Sequence, residues 1–160
     1  MKIMIKMQVY ALYLGVVMVL STVSAVAQKP LSKKDSMNIV KEIYAVQDEH
    51  AKVWNTGNIE AFVQYYWQSD SVRFVSGGTV MYGVHALRER YKKNYPDKAA
   101  MGTLSFTDLA ITVIDKNNAL VHGRFNLDRA EGKRTGLFTM HLRKMSGVWR
   151  IMHDHTSVQC

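Results

Sequence analysis

A chain of 160 residues has room for one domain, or for one domain behind a processed segment. Its 21 basic and 13 acidic residues leave a net charge of +8, which favours anionic ligands or surfaces. The basic residues are scattered, and their densest group (Arg88, Arg90, Lys92, Lys93) spreads over more than one face of a helix, so no nucleic-acid partner is expected.

The chain opens with Lys2 and Lys6, an uncharged apolar run over residues 9–20, and the small-x-small triplet Ala25-Val26-Ala27. This is the pattern of a signal peptide over residues 1–27, cut after Ala27. The apolar run falls short of the ~20 residues a helix needs to cross a bilayer. A periplasmic or secreted protein with no stable membrane anchor is therefore expected. Removing Lys2 and Lys6 lowers the charge from +8 to +6. Residues 28–35 form a short N-terminal segment, and residues 36–160 a single domain. Cys160 is the only cysteine, which excludes an internal disulfide, and a chain terminus is a poor setting for a catalytic thiol.

Asp35 or Ser36 is positioned to cap a first helix whose apolar stripe is Met37, Val40, Ile43, Tyr44, Ala51 and Trp54, with Gly57 at its end. Asn58 caps a second, short helix through Ala61, Phe62, Tyr65 and Tyr66. The period then falls to two: residues 71–75 and 79–82 flank Ser76-Gly77-Gly78 as a hairpin. A third helix over residues 84–95 is stopped by Pro96. Long strands over residues 103–114, 119–129, 133–144 and 148–156 follow, separated by short turns. Three helices and a hairpin before an antiparallel meander predict an α+β fold with one sheet face laid on the helices.

The turns set the register. A two-residue Glu131-Gly132 turn pairs Ala130 with Lys133, Leu127 with Gly136, Phe125 with Phe138 and Val121 with Leu142. Pairing Lys144 with Gly147 then sets Leu142 opposite Trp149, Met140 opposite Ile151, Phe138 opposite His153 and Gly136 opposite His155. That nearly all-apolar face is the predicted interior. The outer face carries His122, Arg124, Asn126, Leu137, Thr139, His141, Arg150, Met152 and Asp154.

Several runs of residues point to a family. Trp54-Asn55-Thr56-Gly57-Asn58-Ile59-Glu60-Ala61, Tyr66-Trp67-Gln68-Ser69-Asp70, Tyr95-Pro96-Asp97-Lys98-Ala99, Gly147-Val148-Trp149-Arg150-Ile151 and Asp154-His155-Thr156-Ser157 stand in order along the chain. Together they resemble the exported SnoaL-like proteins of the nuclear transport factor 2-like superfamily. Where relatives often have Asp, this chain has Asn58. The resemblance implies a cone: helices and hairpin in the concave face of a curved antiparallel sheet, around one pocket, in a protein that frequently dimerises. It also implies a range of functions. Ketosteroid isomerase, polyketide cyclases, dehydratases and the association domain of calcium/calmodulin-dependent kinase share the fold, so function rests on the site.

His153 and His155 are the foremost site candidates, at the inner end of the last strand where Gly136 leaves space and Arg129 also points inward. His155 is the expected proton carrier, with Arg129 or a tyrosine stabilising negative charge. Trp67, Tyr91 and Tyr95 are expected to line the pocket, and Trp54 to fill the core. Asp154 would need a β-bulge to reach the interior. Asp70 is a second carboxylate, equally suited to capping a turn. His153 and His155 lack a third metal ligand, so neither a metal nor a cofactor is expected. The reading is an exported protein that binds an unidentified small molecule. The alternatives are an isomerase, cyclase or dehydratase using His155, or an assembly module. A homodimer through Leu137, Thr139, Met152 and neighbours on the outer sheet face is expected in any of these cases.

Overall fold

The computed structural model describes residues 30–159; the predicted signal segment, its cleavage site and Cys160 lie outside them. Helix α1 (Lys33–Asn55) starts ahead of the predicted cap, because the Ser32 side chain accepts from the Asp35 N–H at 3.1 Å. Its buried face is Ile39, Ile43, Gln47, His50, Ala51 and Trp54, whereas Met37 and Tyr44, both expected inside, are exposed. The stripe is rotated because two polar residues, Gln47 and His50, occupy its centre. Asn58 caps α2 (Ile59–Val63) as predicted. Strands β1 (Arg73–Ser76) and β2 (Thr79–Tyr82) form the hairpin. Its turn residues Gly77 and Gly78 both take positive φ, the geometry of a two-residue type I′ turn. Helix α3 (Val84–Asn94) ends before Pro96. A fourth helix, α4 (Lys98–Met101), capped by Asp97, was not expected from the sequence.

Strands β3 (Thr103–Asp115), β4 (Asn118–Arg129), β5 (Gly132–Met145) and β6 (Val148–Val158) form the predicted meander. The hairpin completes a curved, unclosed six-stranded sheet in the order β2-β1-β6-β5-β4-β3, with β1 running parallel to β6 and every other pair antiparallel. In β3 the pairing with β4 slips between Thr107 and Ala110, where Asp108 has φ 55°; such a bulge bends and twists a strand. Helix α1 is pinned across the inner face at both ends. Glu42 accepts from the Lys144 ammonium at 2.7 Å and the Trp149 indole at 2.8 Å. Near the other end, Asn55 exchanges two hydrogen bonds with the Leu104 backbone, and the Trp54 indole donates to the Met101 carbonyl. The core between helix and sheet gathers Ile43, Trp54, Phe62, Val121, Leu142 and Ile151.

Two register expectations need correction. The β4–β5 turn is Ala130-Glu131, so Arg129 faces Gly132 and every partner moves by two residues: Phe125 meets Gly136 and Val121 meets Met140. A shift of two keeps each side chain on its face, and the inner set is unaltered. The β5–β6 change is larger. Met145 pairs with Val148 and Leu142 with Ile151, but His141 then meets His153 and Met140 meets Asp154. One extra residue, at Met152, sits in β6 at this point. Beyond such a bulge the alternation reverses. Trp149 and Ile151 point inward before it, and Asp154 and Thr156 after it; His153 and His155 therefore lie on the outer face.

Candidate functional site

The inner sheet face and the helices enclose a cavity of about 170 Å³. An apolar cavity of about 150 Å³ holds a benzene-sized molecule, so this one accommodates a single ring with small substituents. Its walls are aromatic. Phe74, Phe106, Phe125 and Phe138 come from the sheet, and Trp54, Phe62, Tyr91 and Tyr95 from the helices. Tyr91 sets its edge against Trp54, Phe62 and Phe74, with ring centroids 5.2–5.9 Å apart, and stacks on Tyr95. These edge-to-face contacts hold the wall rigid.

One carboxylate lies in this aromatic-walled lining. Asp154 is 2% exposed. The Tyr66 hydroxyl donates to its Oδ2 at 2.7 Å, and Thr156 donates to its Oδ1 at 3.1 Å. The Tyr66 and Tyr91 hydroxyl oxygens are 3.2 Å apart. Burial pushes the Asp154 carboxyl up to about 6, with the Tyr66 and Thr156 hydrogen bonds and His155 opposing that rise. Burial and the nearby carboxylate hold both tyrosines well above the usual phenol range, so they remain protonated donors. Backbone pairing explains why these groups meet. The Trp67 N–H donates to the Ile151 carbonyl, and the Ile151 N–H to the Tyr65 carbonyl, both at 2.9 Å, which locks residues 65–67 against β6. On the same edge, β1 sets Phe74 level with Asp154.

The predicted site residues divide. Tyr91 and Tyr95 line the cavity, and Trp54, expected to fill the core, is buried and also contributes to its wall. Trp67 instead packs against the core beside β6. Arg129 has the expected inward parity but pairs with Glu131 at 3.6 Å and lies over Gly102, clear of the cavity lining. His153 and His155 are displaced to the outer face by the bulge, where His153 meets His141 and His155 meets Thr139. Desolvation, followed by His155, Arg73 and His141, holds His153 below the usual imidazole range. The space expected beside Gly136 is already taken: a Cβ there would stand 2.7 Å from the Phe125 ring and closer still to the Ser157 carbonyl. Asp70 is exposed in the turn before β1.

Asp154 therefore occupies the position expected of His155, and Tyr66 orients it. Nothing local in the sequence announces a bulge at Met152. His50 was also missed, although Ile43, Gln47, His50 and Trp54 keep helical spacing. It is fully buried behind the cavity wall, stacked on Phe62 at 4.0 Å and on Tyr65 at 4.8 Å. Neither ring nitrogen makes a hydrogen bond of good geometry. Desolvation, offset only in part by the Phe62 backbone, lowers its pKa to about 3 and keeps it neutral. Among the described residues, no three histidine, cysteine or acidic side chains gather in a metal-binding geometry.

Residues 43–160 match the SnoaL-like domain family. An NTF-2-like protein of unknown function from Shewanella oneidensis MR-1 is 34% identical, with a TM-score of 0.71 over 74% of this chain and 98% of its own. A nuclear transport factor 2 superfamily protein from Salmonella enterica serovar Typhimurium LT2 is 19% identical, with a TM-score of 0.63 over 78% and 94%. A candidate scytalone dehydratase from Novosphingobium aromaticivorans DSM 12444 shares the fold at 8% identity, with a TM-score of 0.67 over 81% and 89%. No curated protein matches the sequence. The matched domain, the 34%-identical relative and the helix-lined curved sheet agree: this chain belongs to the SnoaL-like family of the nuclear transport factor 2-like superfamily.

Proposed function

We propose that the protein binds a small ring-bearing molecule in the aromatic cavity, oriented by hydrogen bonds from the Tyr91–Tyr66–Asp154 chain. The observation that carries this is a buried carboxyl, bonded to the Tyr66 hydroxyl at 2.7 Å and through it to Tyr91 at 3.2 Å, in an aromatic-walled cavity of single-ring size. Most of a small ligand's affinity comes from such walls, and its orientation from a few convergent polar groups. With Asp154 ionised, Tyr66 donates to it and Tyr91 donates to Tyr66, which leaves Tyr91 only lone pairs for a ligand. Protonating Asp154 lets the chain reverse: Asp154 donates to Tyr66, Tyr66 to Tyr91, and the Tyr91 hydrogen becomes free for a ligand oxygen. Ligands that accept a hydrogen bond should therefore bind more tightly below about pH 6, where Asp154 holds its proton.

Asp154 also favours a second reading: acid–base chemistry of isomerase, cyclase or dehydratase type. A carboxyl titrating near neutrality, linked to hydroxyls that relay its proton, is suited to that work. A thermal-shift and calorimetric screen of phenols, ring carboxylates and cyclic ketones tests both. A ligand at a hundredfold excess over its Kd stabilises by about 2.7 kcal/mol. Phe138→Trp, which fills the cavity, should abolish every hit; hits that survive it would refute binding there. For an enzyme, Asp154→Asn abolishes turnover with the ligand still bound.

Export and dimerisation belong to the same proposal. Residues 1–27 carry the signal pattern, and a mature N-terminus at Gln28 in the exported fraction is the expected result. The outer sheet face places exposed Leu120 and Leu137 beside His122, His141, His153 and His155. A homodimer through that face should be present at pH 7.5. A monomer in sedimentation would exclude it.

A further inference from the structure

The cavity lining carries two arginines as well as the buried acid. Along β5 the inward positions run Arg134, Gly136, Phe138, Met140, and Met140 is level with Asp154 on β6. At ~3.4 Å per residue, the Arg134 row lies about 20 Å from the Asp154 row. Arg134 and Arg90 both line the cavity, Arg90 with its guanidinium 5.5 Å from the centre of the Phe74 ring. Neither arginine makes an ion pair or a side-chain hydrogen bond with any described residue. Arg88, Arg124 and Arg129, in contrast, are each matched to a carboxylate, on Glu60, Asp108 and Glu131. Both guanidinium groups thus line the cavity without a carboxylate partner, Arg134 on an exposed row of β5 and Arg90 beside the Phe74 ring.

Resting on the reading of this cavity as a ligand site, we infer that the ligand is a single-ring carboxylate. Its negative charge is met by Arg90 and Arg134, its ring lies among the phenylalanines, and an oxygen reaches Tyr91. A guanidinium offers a planar fork of donors that matches a carboxylate, and aromatic walls beneath it exclude competing water. A neutral ligand would leave both charges uncompensated, and a cationic one would be repelled by them.

The test uses 4-hydroxybenzoate and its primary amide, matched in ring and hydroxyl and differing in charge, titrated calorimetrically into the wild-type protein and into Arg90→Gln, Arg134→Gln and the double variant. The carboxylate should bind the wild type at least tenfold more tightly than the amide, with that preference shrinking as salt rises. The double variant should lose the preference chiefly through weaker carboxylate binding, with unchanged circular dichroism and thermal stability showing that the fold is intact. Equal binding of the two probes to the wild type overturns the inference and leaves the ring-binding reading standing. A preference that survives in the double variant also overturns it, since the charge would then be recognised elsewhere. Failure of both probes to bind the wild type at millimolar concentration overturns the ring-binding reading, and this inference with it.

Discussion

Replacing Asp154 with Asn should stabilise the protein at neutral pH, although it removes the central polar group of the site. The folded-state pKa is raised from 3.8 to about 6, with the group fully buried. The folded protein thus holds a proton at pH values where the unfolded chain has released it. Such a group contributes its full stability below pH 3.8 and loses it as pH rises through about 6. The rise is about 2.2 units, and at about 1.36 kcal/mol per unit the ionised carboxylate costs roughly 3 kcal/mol at pH 7.5. Asparagine keeps the shape and an oxygen to accept from Tyr66 without carrying the charge. Urea unfolding at pH 7.5 and pH 4.0 should therefore find Asp154→Asn more stable than wild type by up to about 3 kcal/mol at the higher pH, and the two nearly equal at the lower. A variant destabilised by the same amount at both pH values would refute the reasoning, because hydrogen-bond geometry and not charge burial would then dominate. The expected result is a stability–function conflict, in which a carboxylate is retained at a cost because the site uses it.

His50 should impose the opposite trend. Its folded pKa of about 3 lies below the unfolded 6.5, so stability is complete above pH 6.5 and falls as pH drops towards 3, by about 5 kcal/mol when fully developed. Urea titrations from pH 7 to 3.5 should show His50→Phe losing far less than wild type, and equal losses would contradict the burial of a neutral imidazole. In wild type the His50 and Asp154 trends largely cancel between pH 6 and 4, so Asp154→Asn should unmask a steep acid transition there. Tyr66→Phe removes a 2.7 Å hydrogen bond to Asp154 and should cost about 1.5–3 kcal/mol at pH 7.5. It should also move the Asp154 titration further upward, read by carbon-detected NMR of the carboxyl; an unmoved titration would show that the Tyr66 bond does not set it. Gly136→Ala would place a Cβ on the Ser157 carbonyl and the Phe125 ring, so a loss of several kcal/mol or failure to fold is expected. Wild-type thermal stability in that variant would mean β5 and β6 can separate at no cost.

Much of this architecture is legible in the sequence because it depends on local chemistry. Asn58 caps a helix through its own side chain, Gly77-Gly78 accepts the positive φ of a tight turn, and the period change after Tyr66 marks the passage from helices to sheet. The inner faces of β4 and β5 survive a two-residue error in register, because alternation has a period of two. Tyr91 and Tyr95 reach the cavity because α3 must lay its aromatic stripe on the sheet. The start of α1 was misplaced and its stripe misread for one reason: apolar character locates a buried face only when polar residues such as Gln47 and His50 are not part of it.

Which residue of Asp154-His155 faces the cavity was decided by tertiary structure alone. A strand written Ile151-Met152-His153-Asp154-His155 alternates acceptably in either phase, and no residue in it demands a bulge. The phase is set by partners distant in the chain: β5 on one side, and on the other β1 and residues 65–67, whose backbone bonds hold both sides of the irregularity. Those partners turn Asp154 towards Tyr66 and send both histidines outward. The sequence alone determined the family, the order of the strands and of the three longer helices, and the inward faces of β4 and β5, since each follows from side-chain chemistry read over a few residues. The identity of the buried acid depended on where one extra residue fell between two neighbouring strands, and only their pairing in three dimensions sets that.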